Sequence, residues 1–278
     1  DTLIVDEAGQ MSLANVVAAC RGTRNLVLVG DPAQLSQPSK GVHPPGTERS
    51  ALEHVLSDAA TMPEHLGLFL RHTRRLHPAI CGFTSDIFYA GRLSALPELA
   101  KQQITAQGAC RLAGAGLRFV PVRHDGNTDE SEAEAAAIAE LIDEMLAAKA
   151  QFVDEEGRAR ALTRDDMLVV APYNMQVALL RSRLPGVRVG TVDKFQGKEA
   201  PVVFFSSAAS SIEDAPRGAG FLLDPSRLNV ATSRARALSV IVASPSLLAA
   251  RCRTPEQIKL VNALCAFVER AEMVTWGG

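Results

Sequence analysis

The residues best placed to do chemistry in this sequence are two acids and an amide. Leu3-Ile4-Val5 is an apolar run that ends in Asp6-Glu7 and continues as Ala8-Gly9-Gln10. A strand ending in two acids sets both carboxylates at the C-terminal edge of a sheet, where α/β folds bind ligands. In phosphoryl transfer one carboxylate holds Mg2+ while another group orients the attacking water. Asp6 suits the first role and Glu7 the second. A second run, Leu26-Val27-Leu28-Val29, delivers Gly30-Asp31-Pro32-Ala33-Gln34-Leu35 to the same edge. Gln34 is then able to donate to a γ-phosphate or to the attacking water. Taken alone, the first segment is better read as a solvated acidic pair at a strand end. An ordinary strand-to-loop turn explains Gly-Asp-Pro but leaves Gln34 unexplained. The two segments in this order carry more than either one.

Both segments need strands to hold them, and the pattern supplies strands in alternation with helices, as in βαβ units around a parallel sheet. Residues 3–5 and 26–29 are continuous apolar runs, which predicts strands covered on both faces. Further strands are expected at 117–122, 167–171, 187–189, 202–206 and 238–243. The clearest helix is predicted over 132–149, with Ile138, Leu141, Ile142, Met145 and Leu146 on one face. Ser131 with Glu134 fits a capping box at its start. Residues 37–47, rich in Pro, Gly and Ser, read as a loop, 125–129 as a polar connection, and 154–160 as a charged surface loop. A boundary falls near 61–64, dividing the chain into residues 1–62 and 63–278. The first piece has two clear strands, too few for a whole sheet, and Asp1 stands with a strand already under way. The expectation is a first α/β domain whose beginning lies upstream.

Composition narrows the classes. Hydrophobic residues make up 47% and charged residues 22%, enough apolar material for a real core. The net charge of -2 gives no global basic signal, although basic residues confined to one groove leave a chain neutral overall. No apolar run approaches the ~20 residues of a membrane span, so no membrane partner is expected. The five cysteines form no C-x-x-C pair and read as buried free thiols in a reduced, cytoplasmic setting. The histidines form no ligand set with them, so no structural metal is expected.

Five segments in order resemble the motifs of superfamily 1 helicases of the Upf-like branch, over residues 1 to 245. Asp6-Glu7-Ala8-Gly9-Gln10 resembles motif II, and Gly30-Asp31-Pro32-Ala33-Gln34-Leu35 resembles motif III. Arg74-Arg75-Leu76-His77-Pro78 with Phe88-Tyr89-Ala90-Gly91-Arg92-Leu93 is similar to motif IV and its sequel. Residues 190–199, Gly-Thr-Val-Asp-Lys-Phe-Gln-Gly-Lys-Glu, resemble motif V, and 228–236, Leu-Asn-Val-Ala-Thr-Ser-Arg-Ala-Arg, motif VI. The resemblance implies two RecA-like α/β domains, the first truncated and the second complete. It also implies ATP and Mg2+ as nucleotide and metal, and 5′-to-3′ movement on single-stranded or duplex nucleic acid, DNA before RNA.

In that frame Arg75 and Arg234 are candidate arginine fingers, because a guanidinium is a rigid, always charged fork suited to a γ-phosphate in its transition state. Surface charge is the plainer reading of each. Both would reach from the second domain to nucleotide held by the first, so hydrolysis would depend on closure of the cleft. Gly197 lets backbone approach a phosphate, and the family implies that Glu199 accepts from a ribose hydroxyl. Thr191 and Gln196 lie between nucleotide and nucleic acid and could couple the two. Pro172 and Tyr173 sit in a segment that opens a helix, where phosphates bind, and that resembles a family segment on the nucleic-acid side. Tyr173 also reads as a packing residue. His77, before Pro78, reads as the organiser of a helix start.

Two departures stand out. The superfamily requires G-x-x-x-x-G-K-[ST] to cradle the nucleotide phosphates, and this sequence holds no such segment. That loop is expected before Asp1, and the chain alone is expected to be inactive. Arg74 stands where the family usually carries a tyrosine that stacks on adenine, a task that an arginine plane can also perform. Residues 36–46 and 73–78 are similar to bacterial proteins that join a RecB-like nuclease to such a helicase, which makes an upstream nuclease domain an expected partner. Two rival readings remain: a binding module without catalysis, and an NTPase acting on a protein.

Overall fold

Two short apolar runs open the structure, a computed structural model that describes residues 1–35, 44, 46–47, 49–57, 59–195 and 197–277. β1 (Thr2–Val5) is followed by α1 (Leu13–Ala19), β2 (Asn25–Leu28) and α2 (Ala51–Leu56). The two strands pair in parallel, Val5 beside Leu28 and Ile4 beside Val27. Alternation then divides the side chains. Leu3, Val5 and Leu28 pack with Val16, Leu52 and Leu56. Ile4 on the other face is 66% exposed and Val27 44%. The expectation of coverage on both faces is therefore not met, because among the described residues helices lie against one side of this pair only.

The chain continues through β3 (His72–Thr73), α3 (Pro78–Phe88), β4 (Ser94–Ala95), β5 (Gln103–Thr105), β6 (Gly116–Pro121) and α4 (Glu132–Ala147). Next come β7 (Gln151–Val153), β8 (Ala159–Ala161), β9 (Met167–Val170), α5 (Asn174–Arg183), β10 (Arg188–Gly190) and β11 (Ala200–Ser206). The last elements are α6 (Ala219–Leu222), α7 (Pro225–Ser233), β12 (Ala235–Ala243), α8 (Pro255–Arg270) and β13 (Glu272–Met273). Six strands form one wholly parallel sheet in the order β10-β9-β11-β12-β6-β13. Here the expected two-sided burial holds. Val203 and Phe205 of β11 join a core with α3, α7 and α8. Val202 and Phe204 join a second core with α4 and α5. Residues 154–160 are not only a surface loop, since β7 and β8 pair as an antiparallel hairpin that β5 extends.

The predicted capping box of α4 is half right. Ser131 Oγ accepts from Glu134 N, but Glu134 does not return the bond to Ser131 N, which donates to Gln176 Oε1 instead. Glu134 is fully buried. Its carboxylate accepts from Ser206 Oγ at 2.6 Å, Ser207 Oγ at 2.8 Å and Ala208 N at 3.0 Å, and pairs with His124 Nε2 at 3.0 Å. It thereby fixes the turn that follows β11, in which Ala208 adopts φ +65°. All five cysteines are free. Among the described residues no helix is long and apolar enough to cross a membrane.

The turns after β1 and β2 interlock by backbone alone. Ala8 N donates to Val29 O at 2.8 Å. A Cβ on Gly9 would stand 2.4 Å from Asp31 O, and one on Gly30 2.8 Å from Ala8 N. Gly30→Ala should therefore force the two turns apart and destabilise by about 1–3 kcal/mol, as overpacking does. Amide hydrogen exchange at Ala8 measures this, and unchanged protection would count against the interlock. Glu134→Ala strands two buried hydroxyls and an amide, so a loss on the order of 3 kcal/mol is expected. A urea midpoint equal to that of the unaltered chain would reject it.

Candidate functional site

The structure brings Gln34 and Arg234 into direct contact: Arg234 Nη2 donates to Gln34 Oε1 at 2.8 Å. Arg234 caps the C-terminal end of α7, immediately before β12, and is 3% exposed. Burial lowers its pKa first, and the neighbouring positive charge of Arg75 second. Its Nε is buried with no hydrogen-bond partner, and among the described residues no carboxylate pairs with it. A desolvated guanidinium in that condition has donor capacity left over for an anion.

Arg75 approaches from the other side. Its Nη1 donates to the carbonyl of Ser233, the residue before Arg234, at 3.1 Å. Its Nε donates to Glu199 Oε2 at 2.6 Å. Glu199, expected to accept from a ribose, is thus already engaged by one of its oxygens. Gln102 ties the arrangement together, donating to Arg75 O at 3.0 Å and accepting from Arg236 Nε at 3.0 Å. Arg236 also pairs with Glu155 in the β7–β8 turn. His77 organises the start of α3 as expected, its Nδ1 accepting from Ala79 N at 3.2 Å.

The acids lie where the strand pattern places them, after β1, and both are exposed. Glu7 N donates to Asp6 Oδ1 at 2.9 Å, and Gln10 Nε2 to Glu7 Oε2 at 3.1 Å. Glu7 adopts φ +53°, a left-handed conformation that costs roughly 1–2 kcal/mol in a residue with a Cβ. The Ala8 bond to Val29 holds that turn in place.

Three residues with no expected role complete the cluster. Asp31 accepts from Ala33 N at 3.0 Å and Gln34 Nε2 at 2.9 Å, and from the Tyr89 hydroxyl. Asn229 Nδ2 donates to Tyr89 Oη and to Ala33 O, both at 3.0 Å. Asp31, Tyr89 and Asn229 all stand inside the quoted motifs. Nothing in the local pattern says that their side chains meet.

The remaining expected residues separate by sheet edge. Gly197, at φ +72° with open space where a Cβ would stand, and Glu199 precede β11. Arg74 is exposed. Gln196 lies outside the described residues, as do residues 36–43 of the expected loop. Thr191, half-buried, follows β10 at the opposite edge. Pro172 and Tyr173 follow β9 there and are buried. The Tyr173 ring packs 5.5 Å from Phe221, its hydroxyl has no partner, and burial pushes its pKa up to about 12. In this arrangement Tyr173 is a packing residue, and the exposed residues of its segment are Asn174 and Met175.

Curated relatives are similar to this chain over most of its length. The Drosophila melanogaster protein named regulator of nonsense transcripts 1 homolog is 27% identical, over 89% of this chain and 21% of its own length. The DNA polymerase alpha-associated DNA helicase A of Schizosaccharomyces pombe is 29% identical, over 84% of this chain and 36% of its own. The chain therefore spans well under half the length of these relatives. A solved structure of the Arterivirus nonstructural protein 10 helicase with DNA aligns over 88% of this chain and 40% of that one, at 19% identity and a TM-score of 0.46. The family model described as an AAA domain matches residues 47–246. With that match over most of its length, the chain belongs to the AAA-domain family, within the Upf-like branch of the superfamily 1 helicases.

Proposed function

We propose that this chain is the transducing half of an ATP-dependent motor that moves 5′ to 3′ along single-stranded nucleic acid, with DNA as the track. The observation that carries the reading is the Gln34–Arg234 hydrogen bond, with Arg75 beside it through Ser233. Two guanidiniums and an amide drawn from distant segments converge on one point, which mere binding of nucleic acid does not require. A shared anionic ligand would relieve the repulsion between them and use the unpaired Nε of Arg234.

In this reading Asp6 holds Mg2+, Glu7 takes the proton of the attacking water, and Gln34 senses the γ-phosphate. Arg75 and Arg234 stabilise the charge redistributed among its oxygens. When bound, Mg2+ neutralises phosphate charge and helps to align the phosphoryl group. Arg74 would stack on the base, and Gln196, Gly197 and Glu199 would contact the nucleotide. Thr191, with the segment around Pro172 and Tyr173, faces the nucleic acid. We read residues 1–62 and 63–278 as parts of two RecA-like domains, and the five free thiols suit the cytoplasm. The phosphate loop is not among these residues, and the uncovered face of β1 and β2 suits a further layer of the same domain. Turnover is therefore assigned to the protein that carries this chain together with such a loop.

In that protein, Glu7→Gln should abolish hydrolysis and leave Mg-ATP binding largely intact, since the amide keeps the shape but cannot accept the proton. A collapse of nucleotide affinity alongside turnover would reject the division of roles between Asp6 and Glu7.

Arg75→Ala or Arg234→Ala should lower kcat by about 10³ to 10⁵, as removal of an arginine finger does. That corresponds to roughly 4–7 kcal/mol in the barrier, with much smaller effects on nucleotide affinity. Lysine should restore little, because it lacks the planar fork. The measurement is steady-state ATPase with saturating oligo(dT) or oligo(U), beside nucleotide binding. Near-normal kcat in both variants would remove the cross-domain mechanism. Stimulation by oligo(U) alone would overturn DNA as the track.

A further inference from the structure

The polar cluster around Asp31 has a direction. Asn229 Nδ2 donates to Ala33 O and to Tyr89 Oη, both at 3.0 Å, so its amide is fixed as a donor. With its oxygen already accepting from Asn229, Tyr89 turns its own proton to Asp31 Oδ2. That carboxylate oxygen also accepts from Gln34 Nε2 at 2.9 Å, while Oδ1 accepts from Ala33 N at 3.0 Å. Gln34 is thereby left with its carbonyl toward Arg234 Nη2. The opposite sense would set an NH2 against a guanidinium, which has donors and no acceptor. Every bond in the series from Asn229 through Tyr89, Asp31 and Gln34 to Arg234 depends on the sense of its neighbour.

The arrangement is buried. Asn229 is fully enclosed, Tyr89 is 9% exposed, and Arg234 is 3% exposed. Burial, and then the charge of Asp31, raise the Tyr89 pKa beyond its ordinary range, so the hydroxyl stays a donor at any working pH. Asp31 is near enough to Arg234 for its charge to be felt. The two nevertheless form no ion pair, and the neutral amide of Gln34 stands between them.

We propose that Tyr89 is a positioning residue of the nucleotide site: its hydroxyl keeps Asp31 occupied, so that Gln34 rather than Asp31 holds Arg234. This rests on the reading of Arg234 as a finger. Without the hydroxyl, Asp31 loses a donor inside a low-dielectric cluster, while Arg234, on which its charge already acts, has an unpartnered Nε. A direct Asp31–Arg234 pair would be charge-assisted on both sides, and it would draw the guanidinium away from the γ-phosphate position. Tyr89 touches no reacting atom, and its effect passes through the other two.

The test uses the phosphate-loop-bearing protein. Tyr89→Phe should lower kcat roughly 10- to 100-fold, the scale on which small misplacements of a catalytic group act. Affinity for Mg-ADP should stay within about twofold, since ground-state binding does not use the finger. The gain in affinity on adding aluminium fluoride to Mg-ADP should shrink by a factor similar to that in kcat, a readout independent of turnover. Asn229→Leu, which removes the donor that orients the hydroxyl, should give the same pattern more weakly, and it covers the case in which Tyr89→Phe folds poorly. In an Arg234→Ala background, Tyr89→Phe should cost nothing further, because the group it positions is gone. An equal loss in both backgrounds, or an unchanged aluminium fluoride effect with Arg234→Ala strongly impaired, would overturn the proposal. A neutral Arg234→Ala would instead defeat the finger reading beneath it, and the single variant alone shows that outcome.

Discussion

A positive charge almost wholly removed from water, paired with no carboxylate among the described residues, is the constraint around which this structure is arranged. Moving a guanidinium out of solvent is costly unless its donors are met. Arg234 is met in part, by one amide oxygen, and its Nε is met by nothing. Of the acids around it, Asp31 accepts from Ala33, Gln34 and Tyr89, Glu7 accepts from Gln10, and Glu199 is paired with Arg75. Such a site is held short of neutrality by its surroundings. The stability that an ion pair would give here is left for a ligand to supply.

The backbone around this charge is built for accuracy. The turns after β1 and β2 approach too closely for any side chain at Gly9 or Gly30, so the acids and Gln34 are set by one rigid unit. Arg234 is set by another, the junction of α7 and β12, in which Ala200 N donates to its carbonyl at 3.0 Å. Both units rest on regular elements, which place side chains more accurately than loops do.

Much of this was legible in the sequence, and the parts that were not have a common cause. Five strands of the six-stranded sheet are read from apolar runs, while the exposed two-residue β13 leaves no such signal, and the order of the motifs locates Gln34, Arg75 and Arg234. Misreadings arose where a side chain answers to something far along the chain. Glu134 has the spacing of a helix cap but serves a turn more than seventy residues away. Tyr173 was open to two readings, contact with nucleic acid or packing, and it is Phe221, distant in sequence, that packs on it. Ile4 and Val27 read as interior by composition, yet burial belongs to whatever layer covers them. Tyr89 and Asn229 were in view as letters of a motif, and only the fold brings them to Asp31.

The stretch between β10 and β11 has a mechanical meaning. Residues 191–199 leave the sheet at one edge and re-enter it at the other, beyond the intervening β9. Val192–Phe195 are wound as a 3-10 helix, which advances about 2.0 Å per residue. The chain is turned on itself on both sides of that helix, Lys194 N donating to Thr191 O at 3.0 Å and Lys198 N to Phe195 O at 3.1 Å. Glu199 follows directly and accepts from Arg75 Nε at 2.6 Å. One short crossing thus joins Thr191 at one edge of the sheet to the partner of Arg75 at the other, so a shift at the first has a single connection to travel before it meets the second.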